Sequence, residues 1–241
     1  MNALTECWAL EARTQSGGVL VVPNTLATAY VPQLACDLLI ENLALPHLSL
    51  VRVPQLLPFA GRGEYSHIGS RFQSPADLYG DHEVVVLQQR SPVARGRSRE
   101  HARLLWGTFG EPGRVILVLN SINAIARESA RALAAPSGCV WYLANPAGRV
   151  WIERLSTDWL ELCEADVSPL YWPLARGSSW ISSLFEGAKP EDALVVLQVF
   201  AHSGDSREMA RILSKSVAAA TKRRIQDWRA PPTWTHVMDS T

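Results

Sequence analysis

Lysine is nearly absent from this chain: Lys189, Lys215 and Lys222 are the only three among 241 residues. Arginine therefore carries almost all the positive charge, and 23 basic residues balance 23 acidic ones. That balance argues against a broad electrostatic face for nucleic acid. Cysteine is sparse too. Cys7, Cys36, Cys139 and Cys163 form no Cys-x-x-Cys pair, so the expectation is four reduced thiols in a cytosolic or nuclear protein. No apolar run approaches the ~20 residues that span a bilayer, and no basic stretch with an apolar core behind it opens the chain. Neither a membrane segment nor a signal peptide is expected. Catalytic signatures are missing as well. Gly-x-Ser-x-Gly is absent, Gly177-Ser178-Ser179 and Gly204-Asp205-Ser206 do not replace it, and there is no Walker loop. Gly61-Arg62-Gly63-Glu64-Tyr65-Ser66 holds two of the three glycines of a dinucleotide loop but follows no strand, so it reads as a loop. The six histidines are scattered, with no two at i and i+4 around a glutamate. No metal and no cofactor are expected.

What is present begins at Gly18. Val19 to Val22 is a β-branched run that suits a buried strand. Pro32 fits a first helical turn, because it lacks an N–H and its φ is preset. Leu34, Ala35, Leu38 and Leu39 then recur at helical spacing, while Gln33, Asp37 and Glu41 form one narrow polar stripe at i, i+4 and i+8. So thin a polar face implies a helix mostly covered by other elements. His47 to Val53 reads as a second strand, giving a βαβ unit expected to be parallel and right-handed.

Pro54 to Asp81 is rich in Pro, Gly, Ser and Arg and reads as a long surface excursion. Glu83 to Gln88 returns to a strand, and a helix runs through Trp106 until Gly107, Gly110, Pro112 and Gly113 end it. Arg114 to Leu119 is a strand bounded by turn signals. Asn120 to Ala135 is helical in composition. Cys139 to Leu143 and Gly148 to Leu155 read as strands around the turn Asn145-Pro146-Ala147-Gly148, and Thr157 to Cys163 as a short helix. Residues 164–176 read as a loop, Ser178 to Ala188 as a helix and Ala193 to Phe200 as the last core strand. Asp205 as N-cap with Glu208 at N3 makes a capping box for a long helix whose apolar stripe is Met209, Ile212, Leu213, Val217 and Ala220. Strands alternating with helices imply an α/β fold with a mostly parallel central sheet covered on both sides. The expected layout is an arm over 1–16, a single domain over 17–230 and a tail over 231–241.

Ordered blocks of this sequence resemble the proteasome assembly chaperone 2 family. They are Leu20-Val21-Val22-Pro23 followed by Gln33 to Ile40, then Leu87-Gln88-Gln89-Arg90-Ser91, Leu104-Leu105-Trp106 and Arg114 to Leu119. Phe200 to Asp205 and Trp228 to Trp234 complete the set. The resemblance implies a three-layer α/β/α fold shaped like a nucleoside phosphorylase, and no enzymatic activity. It also implies a heterodimer with proteasome assembly chaperone 1 that holds alpha-type subunits while the alpha ring of the 20S proteasome forms. Part of that family ends in hydrophobic–tyrosine–any residue; here the last three residues are Asp239-Ser240-Thr241. Candidate partner-binding residues are Trp228 and Trp234, which flank Pro231-Pro232, and Val237, Met238 and Thr241 of the tail. Tryptophan is enriched in interface hot spots, although packing of the tail onto the body is the ordinary reading of both.

Two other classes stay open at this point. A nucleoside-type enzyme on the same fold would draw on His67, Glu83 and Arg90, which neighbour loops after strands. RNA binding would draw on Arg95, Arg97, Arg99 and Arg103, the only basic cluster, although no aromatic is interleaved there for base stacking.

Overall fold

The protein is described by a computed structural model covering residues 18–155, 157–175, 179–202, 204 and 206–234. The strands are β1 (Gly18–Pro23), β2 (His47–Leu50), β3 (Gly61–Tyr65), β4 (Gly69–Gln73), β5 (Ala76–Gly80), β6 (Val84–Gln89), β7 (Arg114–Asn123), β8 (Trp141–Ala144), β9 (Leu160–Glu161) and β10 (Ala193–Ala201). The helices are α1 (Val31–Asn42), α2 (Ser98–Phe109), α3 (Ala130–Ala134), α4 (Pro146–Glu153), α5 (Trp172–Ala175), α6 (Ser179–Gly187) and α7 (Arg207–Ala220). Eight strands form one sheet in the order β2-β5-β6-β1-β7-β10-β8-β9, and β3 pairs with β4 apart from it. The four central strands are mutually parallel, β5 and β8 run antiparallel to their inner neighbours, and β2 is antiparallel to β5.

Alternation along the strands sorts the core into two layers. Val19, Val21, Leu117, Val195 and Leu197 meet Ala35, Leu39, Leu213 and Val217 of α1 and α7. Leu20, Val22, Ile116, Val118 and Val196 meet Leu105, Phe109, Trp180 and Leu184 of α2 and α6. Both faces of each central strand are buried, which is why those strands read as continuous apolar runs. The expected three-layer α/β fold is present.

Several local expectations are corrected. The segment from His47 is not the parallel neighbour of β1. Asp81 accepts from the amides of Glu83 and Val84, at 2.9 Å each, in the turn that lays β5 against β6; β2 then adds to β5 at the sheet edge. Residues 54–81 are more than a surface excursion, since β5 is fully buried. Residues 120–123 extend β7 because β10 pairs with it as far as Ala201↔Asn123, and within residues 120–135 the only α-helix is the five-residue α3. Residues 148–153 are helical, not a strand: Asn145 caps α4 by accepting from Gly148 N at 2.9 Å, and Pro146 begins it. Residues 157–163 carry β9, recruited by Leu160 N donating to Val140 O. Within 164–176, Glu164–Asp166 forms a 3-10 turn and α5 follows. Ser206 occupies the N-cap position of α7, because its carbonyl takes the first helical bond from Ala210 N. Asp205 lies outside the described residues, as do residue 17 and the arm over 1–16.

Candidate functional site

The polar stripe of α1 is itself buried, with Gln33, Asp37 and Glu41 exposed by only 7%, 6% and 8%. Polar groups inside a fold must be answered by partners, and the carboxyl end of β6 supplies most of them. Arg90 donates through Nη1 and Nη2 to the two Asp37 oxygens at 3.0 and 2.5 Å. Gln88 Nε2 donates to Asp37 Oδ1 at 2.8 Å and to Gln33 O at 3.0 Å. Gln33 Nε2 in turn reaches the carbonyls of Gln89 and Arg90 at 3.4 and 3.3 Å. From β3, the Tyr65 hydroxyl donates to Asp37 Oδ1 at 2.6 Å, and Ser66 N donates to Glu41 at 2.8 Å. The helix is thereby fixed to the sheet and to the β3–β4 hairpin at once.

Electrostatics act on two members of this cluster, Arg90 and Tyr65. Burial alone would lower the Arg90 pKa, but the Asp37 carboxylate and the Tyr65 phenol outweigh it and keep the guanidinium charged. Burial, then the charge of Asp37, pushes the Tyr65 phenol well above its ordinary value, so it remains a donor.

A second polar line crosses the parallel strands near their carboxyl ends. Asn24 Nδ2 donates to Asn120 Oδ1 at 2.9 Å, and Asn120 Nδ2 to Gln198 Oε1 at 3.0 Å. Beside it Ser121 Oγ donates to Thr28 O at 2.6 Å and pins the loop after β1. In that loop Ala29 and Tyr30 are consecutive left-handed residues with φ of 57° and 55°. Tyr30 is nevertheless 65% exposed. The loop borders a cavity of about 590 Å³ lined by Tyr30, Gln33, Leu34, Phe59, Arg90 and Ser206 among others. It opens beyond the carboxyl ends of β1, β6 and β10, the position at which α/β sheets bind ligands.

The sequence-derived candidates are mostly dispersed. Trp228 and Trp234 pack, partly buried, against the α1/α7 side of the core. Their segment is held by two reciprocal pairs. The Asn42 side chain exchanges hydrogen bonds with Arg229 N and O, and Thr233 Oγ1 with Glu64 N and O. Val237, Met238 and Thr241 lie outside the described residues. His67 is held by Leu45 O at 2.8 Å. Glu83 sits at the amino end of β6 against Arg223, whereas Arg90 follows its carboxyl end, so the strand separates them. Arg97 is paired with Glu100, and Arg99 and Arg103 line a different groove with Trp106. Among the described residues no group of three His, Cys, Asp or Glu side chains is placed to hold a metal, and no helix is long and apolar enough to cross a membrane. Sequence reasoning named Arg90 but missed Asp37, Tyr65 and Gln88 as its partners. The available signal was the polar i, i+4, i+8 stripe on an otherwise apolar helix.

These features define a three-layer α/β protein with a polar-cored cleft at the carboxyl end of its sheet. Solved structures share the fold. Pyrococcus furiosus PbaA, an archaeal homolog of proteasome-assembly chaperone, superposes with a TM-score of 0.63 at 11% identity, covering 88% of this chain and 85% of that one. Pyrococcus furiosus PbaB, an archaeal proteasome activator, gives 0.59 at 12% identity over 95% of each chain. A protein of unknown function from Thermoplasma acidophilum gives 0.63 at 13% identity, over 94% of this chain and 86% of that one. No family model and no curated protein sequence matches the chain.

Proposed function

We propose that this protein is a proteasome assembly chaperone subunit that acts by binding and converts no substrate. One observation carries the reading. The sequence blocks that resemble the chaperone 2 family are the ones that interlock: Gln33 and Asp37 of the first block bond to Gln88, Gln89 and Arg90 of the second. The fold shared with PbaA and PbaB across most of the chain is consistent with it. On this reading the chain pairs with a sibling of proteasome assembly chaperone 1 type and contacts alpha-type subunits in the cytoplasm and nucleus. An obligate pairing face exceeds ~2,000 Å² in total and is apolar. Exposed Leu26, Tyr30, Phe59 and Ile125, in the loops after β1, β2 and β7, are the apolar side chains proposed for such contacts. The tail carrying Val237, Met238 and Thr241 is a further proposed contact, and the fixed Arg229–Thr233 segment sets where it departs.

The test is affinity purification of the tagged full chain from native extract, with mass spectrometry of what it retains. Alpha-type 20S subunits and a second chaperone chain are expected. A stable lone monomer at micromolar concentration, with no proteasome subunit retained, would overturn the proposal. The cavity of about 590 Å³ favours a second reading, a small-molecule enzyme on the same fold. Turnover that is lost when the cavity is filled would select it.

A further inference from the structure

The groove between α2 and α6 lies on the other face of the sheet from Trp228 and Trp234, and the assembly reading does not use it. The two helices are locked together. Each leads into one of two parallel strands, so they run the same way. Ser98 Oγ and Ser179 Oγ meet at 2.6 Å where the helices begin, and Trp106 Nε1 donates to Leu184 O at 3.0 Å further along. Between them is a groove of about 340 Å³. From α2 it takes Arg99, Ala102, Arg103 and Trp106, which stand at j, j+3, j+4 and j+7 and so share one face. From α6 it takes Ser183, Glu186 and the side-chain-free Gly187.

Several polar groups here are already engaged. The Trp106 N–H is committed to Leu184 O, the Ser183 hydroxyl donates to Ser179 O at 3.0 Å, and Glu100 is paired with Arg97 at 2.5 Å. Arg99, Arg103 and Glu186 are exposed, and none of the three is ion-paired among the described residues. Opposite charges thus line one groove without meeting across it. Elsewhere on the surface such neighbours do close, as Arg149 does on Glu161 at 2.6 Å. A phosphate polymer fits this groove poorly, because its charges are all negative and Glu186 stands in its path. A polypeptide helix carries both signs at chosen positions. From Arg99 to Trp106 the groove runs about 10.5 Å, the rise of seven helical residues. Two carboxylates one turn apart answer Arg99 and Arg103. An apolar side chain between them rests on Ala102, which is small enough to admit it. A cation one turn beyond meets the Trp106 ring and Glu186 together.

We infer that this groove receives an amphipathic helix of a partner protein whose contact stripe is acidic, apolar, acidic and basic at i, i+3, i+4 and i+7. The acidic side chains pair with Arg99 and Arg103, and the basic one with Glu186. The inference does not rest on the assembly reading, and its test contains no proteasome component, so the two fail separately.

The probe is a fluorescently labelled peptide of two consecutive copies of Glu-Ala-Ala-Leu-Glu-Ala-Ala-Lys, titrated with the full chain at low ionic strength, with anisotropy as the readout. It is expected to bind saturably. Exchanging its glutamates for glutamine should weaken it at least about ten-fold, and exchanging its lysines for glutamine at least about three-fold. Arg99→Glu combined with Arg103→Glu should weaken the original peptide at least about ten-fold, and, both sites being exposed, should leave the melting temperature within a few degrees. Adding Glu186→Lys to that pair should create binding to the charge-reversed peptide, two copies of Lys-Ala-Ala-Leu-Lys-Ala-Ala-Glu, which the wild type does not retain. Equal binding by either glutamine peptide, full binding by the Arg99 and Arg103 double variant, no binding of the reversed peptide by the triple variant, or no saturation by millimolar protein would overturn the inference. Displacement of the peptide by single-stranded oligouridylate at lower concentration than by unlabelled peptide would assign the groove to nucleic acid and overturn it likewise.

Discussion

Three side chains converge on Asp37, which accepts from Arg90, Gln88 and Tyr65 inside the fold. Removing one member of a buried ion pair leaves the other charge unanswered, which costs roughly 3–5 kcal/mol. Asp37→Ala should therefore lower the unfolding free energy read from urea titration by that amount, while Asp37→Leu combined with Arg90→Met should recover much of it, because apolar replacements remove both charges together. A loss below about 1 kcal/mol in the single variant would mean that the pair contributes no more than a surface bridge. His101 makes the opposite kind of demand. It is fully buried against Trp180, ring centroids 5.2 Å apart, and neither of its nitrogens has a hydrogen-bond partner among the described residues. Burial lowers its pKa from 6.5 to about 4. The unfolded chain then takes up this proton near pH 6.5 and the folded chain only near pH 4, so stability is complete above that window and falls as pH drops through it. The loss by pH 4 is roughly 3 kcal/mol. Chemical denaturation at stepped pH should show this slope in the wild type and a shallower one in His101→Leu.

Among the elements, α4 shows how a local pattern is overruled. Val150-Trp151-Ile152 is a β-branched and aromatic run, which suits a strand, but Asn145 acts from outside that window. Besides capping α4, its Oδ1 accepts from Leu194 N at 3.0 Å and its Nδ2 donates to Asp192 O at 2.6 Å, which binds the helix start to the beginning of β10. Gly148 permits the approach, because a Cβ there would stand 2.3 Å from the Leu194 carbonyl oxygen. In an unpacked helix Gly→Ala gains about 1 kcal/mol. Here the clash reverses the sign, and Gly148→Ala should cost about 1–3 kcal/mol, read as a lower melting temperature. An unchanged or raised melting temperature would show that helix and strand separate freely. The same lesson explains β9 and the end of β7. Neither has a strong strand pattern of its own, and both are strands because a distant partner supplies the ladder.

At the scale of the whole molecule, the sheet gathers chain segments far apart in sequence onto one end. The loops after β1, β2, β6, β7 and β10 all emerge there, bringing Tyr30, Phe59, Arg90, Ile125 and Ser206 to the same edge. Partner binding belongs to this scale, since a docking face is a property of assembled loops and not of any motif. Retention of proteasome subunits by the full chain is accordingly the measurement that bears on it.

The chain alone settled the α/β class, the central strands β1, β6, β7 and β10, and helices α1, α2, α6 and α7, because both faces of those strands and one face of each helix must be apolar. It also exposed the Gln33, Asp37 and Glu41 stripe as an anomaly. Folding decided the rest: which strand lies beside which, the helical state of 146–153, and the pairing of Asp37 with Arg90, 53 positions apart. Hydrogen-bond partners and charge neutralisation across such separations depend on sheet order, which local periodicity does not encode.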